Sequence, residues 1–100
     1  MDTLHTADGL KLHLRHWVPE APLRGQVLLV HGLGEHSGRY AHVAAALNAR
    51  GWSVSAFDQR GHGRSEGARG VIATADALLL DLAAVIDAVR PRHPGPLVLL

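Results

Sequence analysis

Two stretches of this sequence gather residue types that can do chemistry. The first reads His31-Gly32-Leu33-Gly34-Glu35-His36-Ser37-Gly38 and lies between an apolar run and a helix-like pattern. Two chemistries compete for it. A dinucleotide-binding turn needs G-x-G-x-x-G, so that backbone can approach a pyrophosphate at a helix start. Here Gly38 arrives one residue late and His31 sets a bulky ring at the tight turn. Asp58, at the end of the next apolar run, stands where a ribose-binding acid would, which keeps a nucleotide-dependent oxidoreductase as the alternative. The other chemistry is an oxyanion hole, in which glycines let the backbone aim an N–H at negative charge developing on a substrate oxygen. In that reading Leu33 supplies the N–H, with Gly32 and Gly34 beside it.

The second stretch reads Asp58-Gln59-Arg60-Gly61-His62-Gly63-Arg64-Ser65-Glu66-Gly67, and Gly63 to Gly67 spells G-x-S-x-G. A nucleophile elbow needs its serine on a strained turn directly between a strand and a helix, which lifts the hydroxyl clear of the sheet. The apolar run before Ser65 ends near Phe57 and helical spacing resumes only near Ala75, so Ser65 is expected in mid-loop and outside the nucleophile role. His31, His36 and His62 lack compact ligand spacing and no cysteine assists them, so neither a metal nor a cofactor is expected. Glu35 and Arg39 are four apart. They suit either substrate contact or mutual pairing at a helix start, where the acid also favours the dipole. Arg60 and Arg64 suit solvation or a bridge to an acid such as Asp58.

The elements that position these loops read as an α/β protein. Asp8-Gly9 suits a turn with positive φ between Leu4 to Thr6 and Lys11 to Val18, a β-hairpin. In its second strand Leu10, Leu12, Leu14 and His16 alternate with Lys11, His13 and Arg15, which predicts an outer strand with one packed and one solvated face. Val27 to Val30 is apolar without alternation, as in a strand covered on both faces. Tyr40, Val43, Ala44 and Leu47 predict a helix over about 39–50, with Ser37 as N-cap and Gly51 as its stop. Trp52 to Phe57 reads as the next buried strand. Leu78, Leu82, Val85, Ile86 and Val89 mark a second helix, capped by Thr74 and ended by Pro91. Leu97 to Leu100 begins another apolar run. This alternation calls for a mainly parallel sheet with helices on both faces, whose ligands gather at the carboxyl ends of the strands, where His31 and Asp58 begin their loops. Tyr40, Trp52 and Phe57 match core positions at element ends.

The two loops together, His31 to Tyr40 and Asp58 to Gly67, resemble the monoacylglycerol lipase and lysophospholipase branch of the α/β-hydrolases, the serine aminopeptidase-like group. The resemblance covers nearly the whole chain, whereas family catalytic domains run roughly two to three times longer within the single-domain range. Residues 1–100 thus resemble the amino-terminal part of one such domain. The resemblance implies a serine hydrolase cleaving carboxylic esters, with nucleophile elbow, cap, acid and base all beyond Leu100 and these 100 residues inactive alone. It makes the Leu33 N–H an oxyanion donor, supported by His31, Gly32 and Gly34. Glu35 and Arg39 then contact the glycerol head group, and Asp58, Arg60, Gly61, His62, Gly63 and Ser65 form a structural loop that braces the oxyanion loop.

Composition limits the rest. The chain has 100 residues, ten basic against nine acidic, no cysteine, and 47% hydrophobic residues. One modest core is affordable at this length and disorder is not expected. The basic residues are scattered, which argues against nucleic acid or an anionic membrane as partner. The partner expected is a small lipid ester. No apolar run approaches the roughly 18 residues of a membrane span, and Met1-Asp2-Thr3 lacks a signal-peptide pattern, so a cytoplasmic protein is expected. A third reading is noncatalytic, a truncated product whose last strand would present an unpaired edge prone to aggregation.

Overall fold

The computed structural model describes residues 2–6, 8–20, 22–31, 40–62, 64–67 and 75–100. Five strands form one mixed sheet: β1 (Asp2–His5), β2 (Lys11–Trp17), β3 (Gly25–Val30), β4 (Trp52–Phe57) and β5 (Leu97–Leu99). Two helices, α1 (Ala41–Ala49) and α2 (Ala75–Val89), connect the last three strands. The spatial order is β1-β2-β4-β3-β5. The hairpin joins the sheet antiparallel, Leu14 facing Phe57. The β3-α1-β4-α2-β5 part is parallel, with Val30 facing Phe57 and Leu28 facing Leu99.

The chain steps from β3 to one neighbour and then back past it to the other. Crossovers of one hand stepping in opposite directions lay their helices on opposite faces, and the cores follow that parity. Val27 and Leu29 pack with Ala44, Val54 and Ala56 on the α1 side, joined by Val43 and Leu47. Leu28 turns the other way, to Leu12, Leu14, Phe57, Val85 and Val89 on the α2 side. The unbroken apolar run Val27–Val30 of β3 reflects this cover on both faces.

Helix α1 starts two residues later than its spacing predicts. Its N-cap is Tyr40 without a side-chain cap bond, and Ser37 lies outside the described residues. The helix ends at Ala49 with Arg50 as its C-cap, and Gly51 follows with φ +90°, the left-handed step that L side chains resist. Helix α2 ends at Val89 as Pro91 requires, the chain continuing through one 3-10 turn over Arg90–Arg92. Thr74 is outside the described residues.

The hairpin corrects the sequence reading twice. Strand β2 is an inner strand, flanked by β1 and β4, and of the hairpin's two strands β1 is the one at an edge. His13, expected on a solvated face, is buried at 8% exposure. The cause is the loop after β4, which runs back along the first half of β2 and covers what alternation alone marks as outward. At the other side of the sheet Val98, Leu99 and Leu100 are exposed, as are Leu79 and Leu80 on α2. Among the described residues no helix is long and apolar enough to cross a membrane.

Candidate active site

The carboxyl ends of β3 and β4 lie level, with β5 alongside β3. Val30 faces Phe57 in the register, and the Val30 N–H donates to Leu100 O at 3.1 Å. His31 and Asp58 therefore leave the sheet side by side, as ligand-binding loops of open α/β sheets do.

The two loops are joined at their roots. The Gln59 N–H donates to His31 Nε2 at 2.8 Å, and Gln59 Nε2 donates to His31 O at 2.5 Å. An imidazole whose Nε2 accepts is neutral and carries its proton on Nδ1. The His62 ring packs against that of His31 with centroids 5.2 Å apart and tilted by 55°, and His62 Nδ1 lies 3.1 Å from Arg60 O.

From Asp58 the second loop replaces the strand that β4 no longer provides for β2. The Asp58 N–H donates to His13 O at 2.9 Å and the Glu66 N–H to Lys11 O at 2.8 Å, while the Lys11 N–H reaches Glu66 Oε1 at 2.8 Å. Ser65 completes this seam. Its hydroxyl accepts the His13 N–H at 2.7 Å and donates to Asp58 O, at 1% exposure. A hydroxyl so enclosed cannot meet a substrate, so the G-x-S-x-G spelling marks a structural crossing here. Gly67 closes the loop at φ +122°, and a Cβ there would come within 2.8 Å of Gly61 N, whose N–H donates to Glu66 O at 3.0 Å.

Asp58 is fully buried, with Oδ2 accepting the Arg64 N–H at 3.0 Å. It has no surface left for a ribose hydroxyl, which removes the residue that favoured a nucleotide-dependent oxidoreductase. Of the two readings for Arg60, solvation or a bridge to an acid such as Asp58, the bridge holds, but with other acids. Arg60 turns away and forks onto Asp81 of α2, Nε to Oδ2 at 2.7 Å and Nη2 to Oδ1 at 2.9 Å, and onto Asp8 of the hairpin turn at 3.0 and 3.2 Å. Asp58 accepts the Arg64 N–H within its own loop, whereas Asp81 accepts from the Arg60 side chain. Both acids hold the guanidinium firmly protonated, Asp81 foremost. Arg60, and secondarily the Thr6 hydroxyl, keep the Asp8 carboxyl below its usual range. Burial pushes the His13 imidazole below its ordinary value.

Beside Gln59 opens an apolar cavity of about 210 Å³, walled by Val30, Phe57, Leu78, Leu79 and Leu82, with Gln59 and Asp81 as its polar lining residues. Among the described residues no cluster of three or more His, Asp or Glu could hold a metal ion. Gly32, Leu33, Gly34, Glu35, Arg39 and Gly63 lie outside the described residues. The roles expected of the first five, an N–H donor, its flanking glycines and two polar contacts, belong to the reading proposed below.

Sequence reasoning missed Gln59, Asp81, Asp8 and Glu66. Asp81 had a signal: it falls three residues after Leu78 and four before Val85, a lone acid inside an apolar stripe, which calls for a buried partner. Gln59 had none, because a glutamine between an acid and an arginine has no pattern to betray its two bonds.

A sheet of this order, with both helices so placed and its loops at the strand ends, is the core of an α/β-hydrolase. The chain matches the monoglyceride lipase of Saccharomyces cerevisiae, solved with a substrate analogue, at a TM-score of 0.85 and 26% identity over 98% of this chain and 33% of that one. The family model described as serine aminopeptidase, S33, matches residues 21–100, and the chain belongs to that family. Human monoglyceride lipase is 38% identical over 98 residues, 97% of this chain and 32% of the relative. The monoacylglycerol lipase of Mycolicibacterium smegmatis is 38% identical over 86 residues, 86% and 31% of the respective chains. The chain thus spans about a third of the length of these lipases.

Proposed function

We propose that these residues are the oxyanion side of a serine hydrolase that cleaves carboxylic esters, with monoacylglycerols or lysophospholipids as its substrates. In this reading the Leu33 N–H, given access by Gly32 and Gly34, donates to the oxyanion formed when a serine hydroxyl adds to the ester carbonyl. The alcohol leaves with a proton from the catalytic base. Water then adds to the acyl-enzyme and releases the fatty acid. Glu35 and Arg39 contact the polar head. The nucleophile, its base and its acid lie beyond residue 100, and residues 1–100 alone, as part of one hydrolase domain, do not turn over.

The observation that carries this reading is the identity to monoglyceride lipases across 97% of the chain, loops included. The fixed root of the His31 loop supports it, because an oxyanion donor works only when its direction is set in advance. The apolar cavity beside Gln59 is in keeping with an acyl substrate.

The test is the protein, in the length its gene encodes, treated with a fluorophosphonate and weighed intact. One adduct, with concurrent loss of monoacylglycerol hydrolysis, is expected. A protein that neither takes the adduct nor hydrolyses monoacylglycerol, lysophosphatidylcholine or 4-nitrophenyl butyrate overturns the proposal.

A further inference from the structure

We propose that Asp8-Gly9 is a site of spontaneous modification, where the chain rearranges to an isoaspartyl linkage at a rate that Arg60 governs by its grip on the Asp8 carboxylate. The reaction needs only water. The Gly9 nitrogen attacks Asp8 Cγ, so that an N–Cγ bond forms and a Cγ–O bond breaks. One carboxyl oxygen leaves as water with the carboxyl proton and the amide proton, and a five-membered succinimide remains. Water then reopens the ring. Addition at Cγ restores the aspartate. Addition at the main-chain carbonyl carbon of Asp8 instead leaves the chain running through Cβ and Cγ, with the former main-chain carbonyl as the free carboxylate.

The sequence holds one Asp-Gly pair and no Asn-Gly pair. The structure puts it on an open hairpin turn. Gly9 has φ +86° with nothing within 4 Å of where a Cβ would stand, and the Asp8 side chain is more than half exposed. No side chain therefore shields the attacking nitrogen. What opposes the reaction is that every polar atom it uses is engaged. Asp8 Oδ2 accepts from Arg60 Nη1 at 3.0 Å, and Oδ1 accepts from Arg60 Nη2 at 3.2 Å and from the Thr6 hydroxyl at 2.5 Å. The Gly9 N–H donates to Thr6 O at 3.0 Å. Attack needs the reacting atoms about 3–3.5 Å apart and aligned, so Cγ must first leave this grip. The cation also keeps the carboxyl ionised, and a carboxylate has no proton with which its oxygen could depart as water. An exposed pair alone opens readily. Here the guanidinium is placed beforehand, because Asp81, with its side chain 3% exposed, holds Nε and Nη2 from the other side. Rearrangement adds one atom to the main chain and moves the carboxylate, so the fork no longer fits and the hairpin turn parts from Arg60.

The experiment ages wild type, Arg60→Lys, Ser65→Ala and Asp8→Glu, in the length the gene encodes, at neutral pH and below their melting temperatures. Isoaspartate is counted in tryptic peptides by electron-transfer fragmentation, which assigns it to a residue. Arg60→Lys keeps a cation for Asp81 but cannot fork onto both acids. It should raise the rate at residue 8 about 3- to 5-fold. Ser65→Ala loosens the seam against β2 without touching Asp8, and its rate should stay within about 1.5-fold of wild type, since local and global opening are separate events. Asp8→Glu keeps the charge but would need a six-membered ring, and the signal at residue 8 should vanish. Equal ageing of wild type and Arg60→Lys overturns the proposal. So does a rise in Ser65→Ala equal to that in Arg60→Lys, which would make the opening global, or conversion that maps to another aspartate and persists in Asp8→Glu.

Discussion

The loop after β4 is fastened at two junctions built on different physics. At the inner one, against β2, Ser65, Asp58 and His13 meet through a hydroxyl and backbone groups, with exposures of 1%, 0% and 8%. At the outer one Arg60 spans from the hairpin turn to α2 between two carboxylates. The side chain of Asp81 is 3% exposed and that of Asp8 57%, both within hydrogen-bond distance of the guanidinium. The inner junction satisfies backbone groups that water cannot reach. The outer one joins charges, whose worth depends on how far each has left water. The Asp81 pair is the shorter, 2.7 against 3.0 Å, and burial separates the two further.

That ranking is tested most strongly at Arg60. Arg60→Ala leaves the Asp81 carboxylate buried without its cation, which should cost about 3 kcal/mol in denaturant unfolding. Asp8→Asn removes the partner on the solvent side and should move the unfolding midpoint far less than Arg60→Ala, because a pair open to water gains little over its separately solvated charges. Similar losses from the two substitutions would mean that burial does not separate the acids.

Next in size is the inner junction. Ser65→Ala strands the His13 N–H and removes a donor from Asp58 O in a place closed to solvent, for an expected loss of about 2 kcal/mol in the same measurement. A neutral result would show that water enters the seam, and the distinction between the two junctions would fall with it.

How these junctions were encoded explains what the sequence could disclose. The strands and helices were legible because burial on both faces writes itself as the unbroken apolar run Val27–Val30 in β3 and as small or apolar residues along β4, and one-sided burial as helical spacing in α2. Proline and glycine punctuation placed the ends at Gly51 and Pro91. The polar joints were not legible, because they depend on tertiary proximity: Arg60 finds Asp81, 21 residues on, and Asp8, 52 residues back. Nothing in the local pattern around Arg60 distinguishes those acids from the adjacent Asp58. His13 shows the same limit. Alternation along β2 assigns it to solvent, and only the return of a loop from 50 residues later buries it.

His13 also gives the smallest effect and the finest test of the inner junction, since protonation alters one ring without deleting a bond. Its imidazole is held below the ordinary value of 6.5 chiefly by burial, with Arg15 and Arg64 acting the same way and Asp58 opposing them. The unfolded chain then binds a proton before the folded one does, so stability falls as pH falls below about 6.5 and ceases to fall once the folded-state value is passed. Above that window the residue contributes no slope. His13→Leu keeps the position apolar and removes the titration. The difference between wild-type and His13→Leu unfolding free energies should thus be flat near pH 8 and shift against the wild type as the pH is lowered through 6.5. Its Nε2 is buried without a hydrogen-bond partner among the described residues, so no lost bond accompanies the substitution to confuse the reading. A difference that stays level across this range would place the His13 ring in water, and the loop after β4 would then not close over β2 as tightly as its hydrogen bonds require.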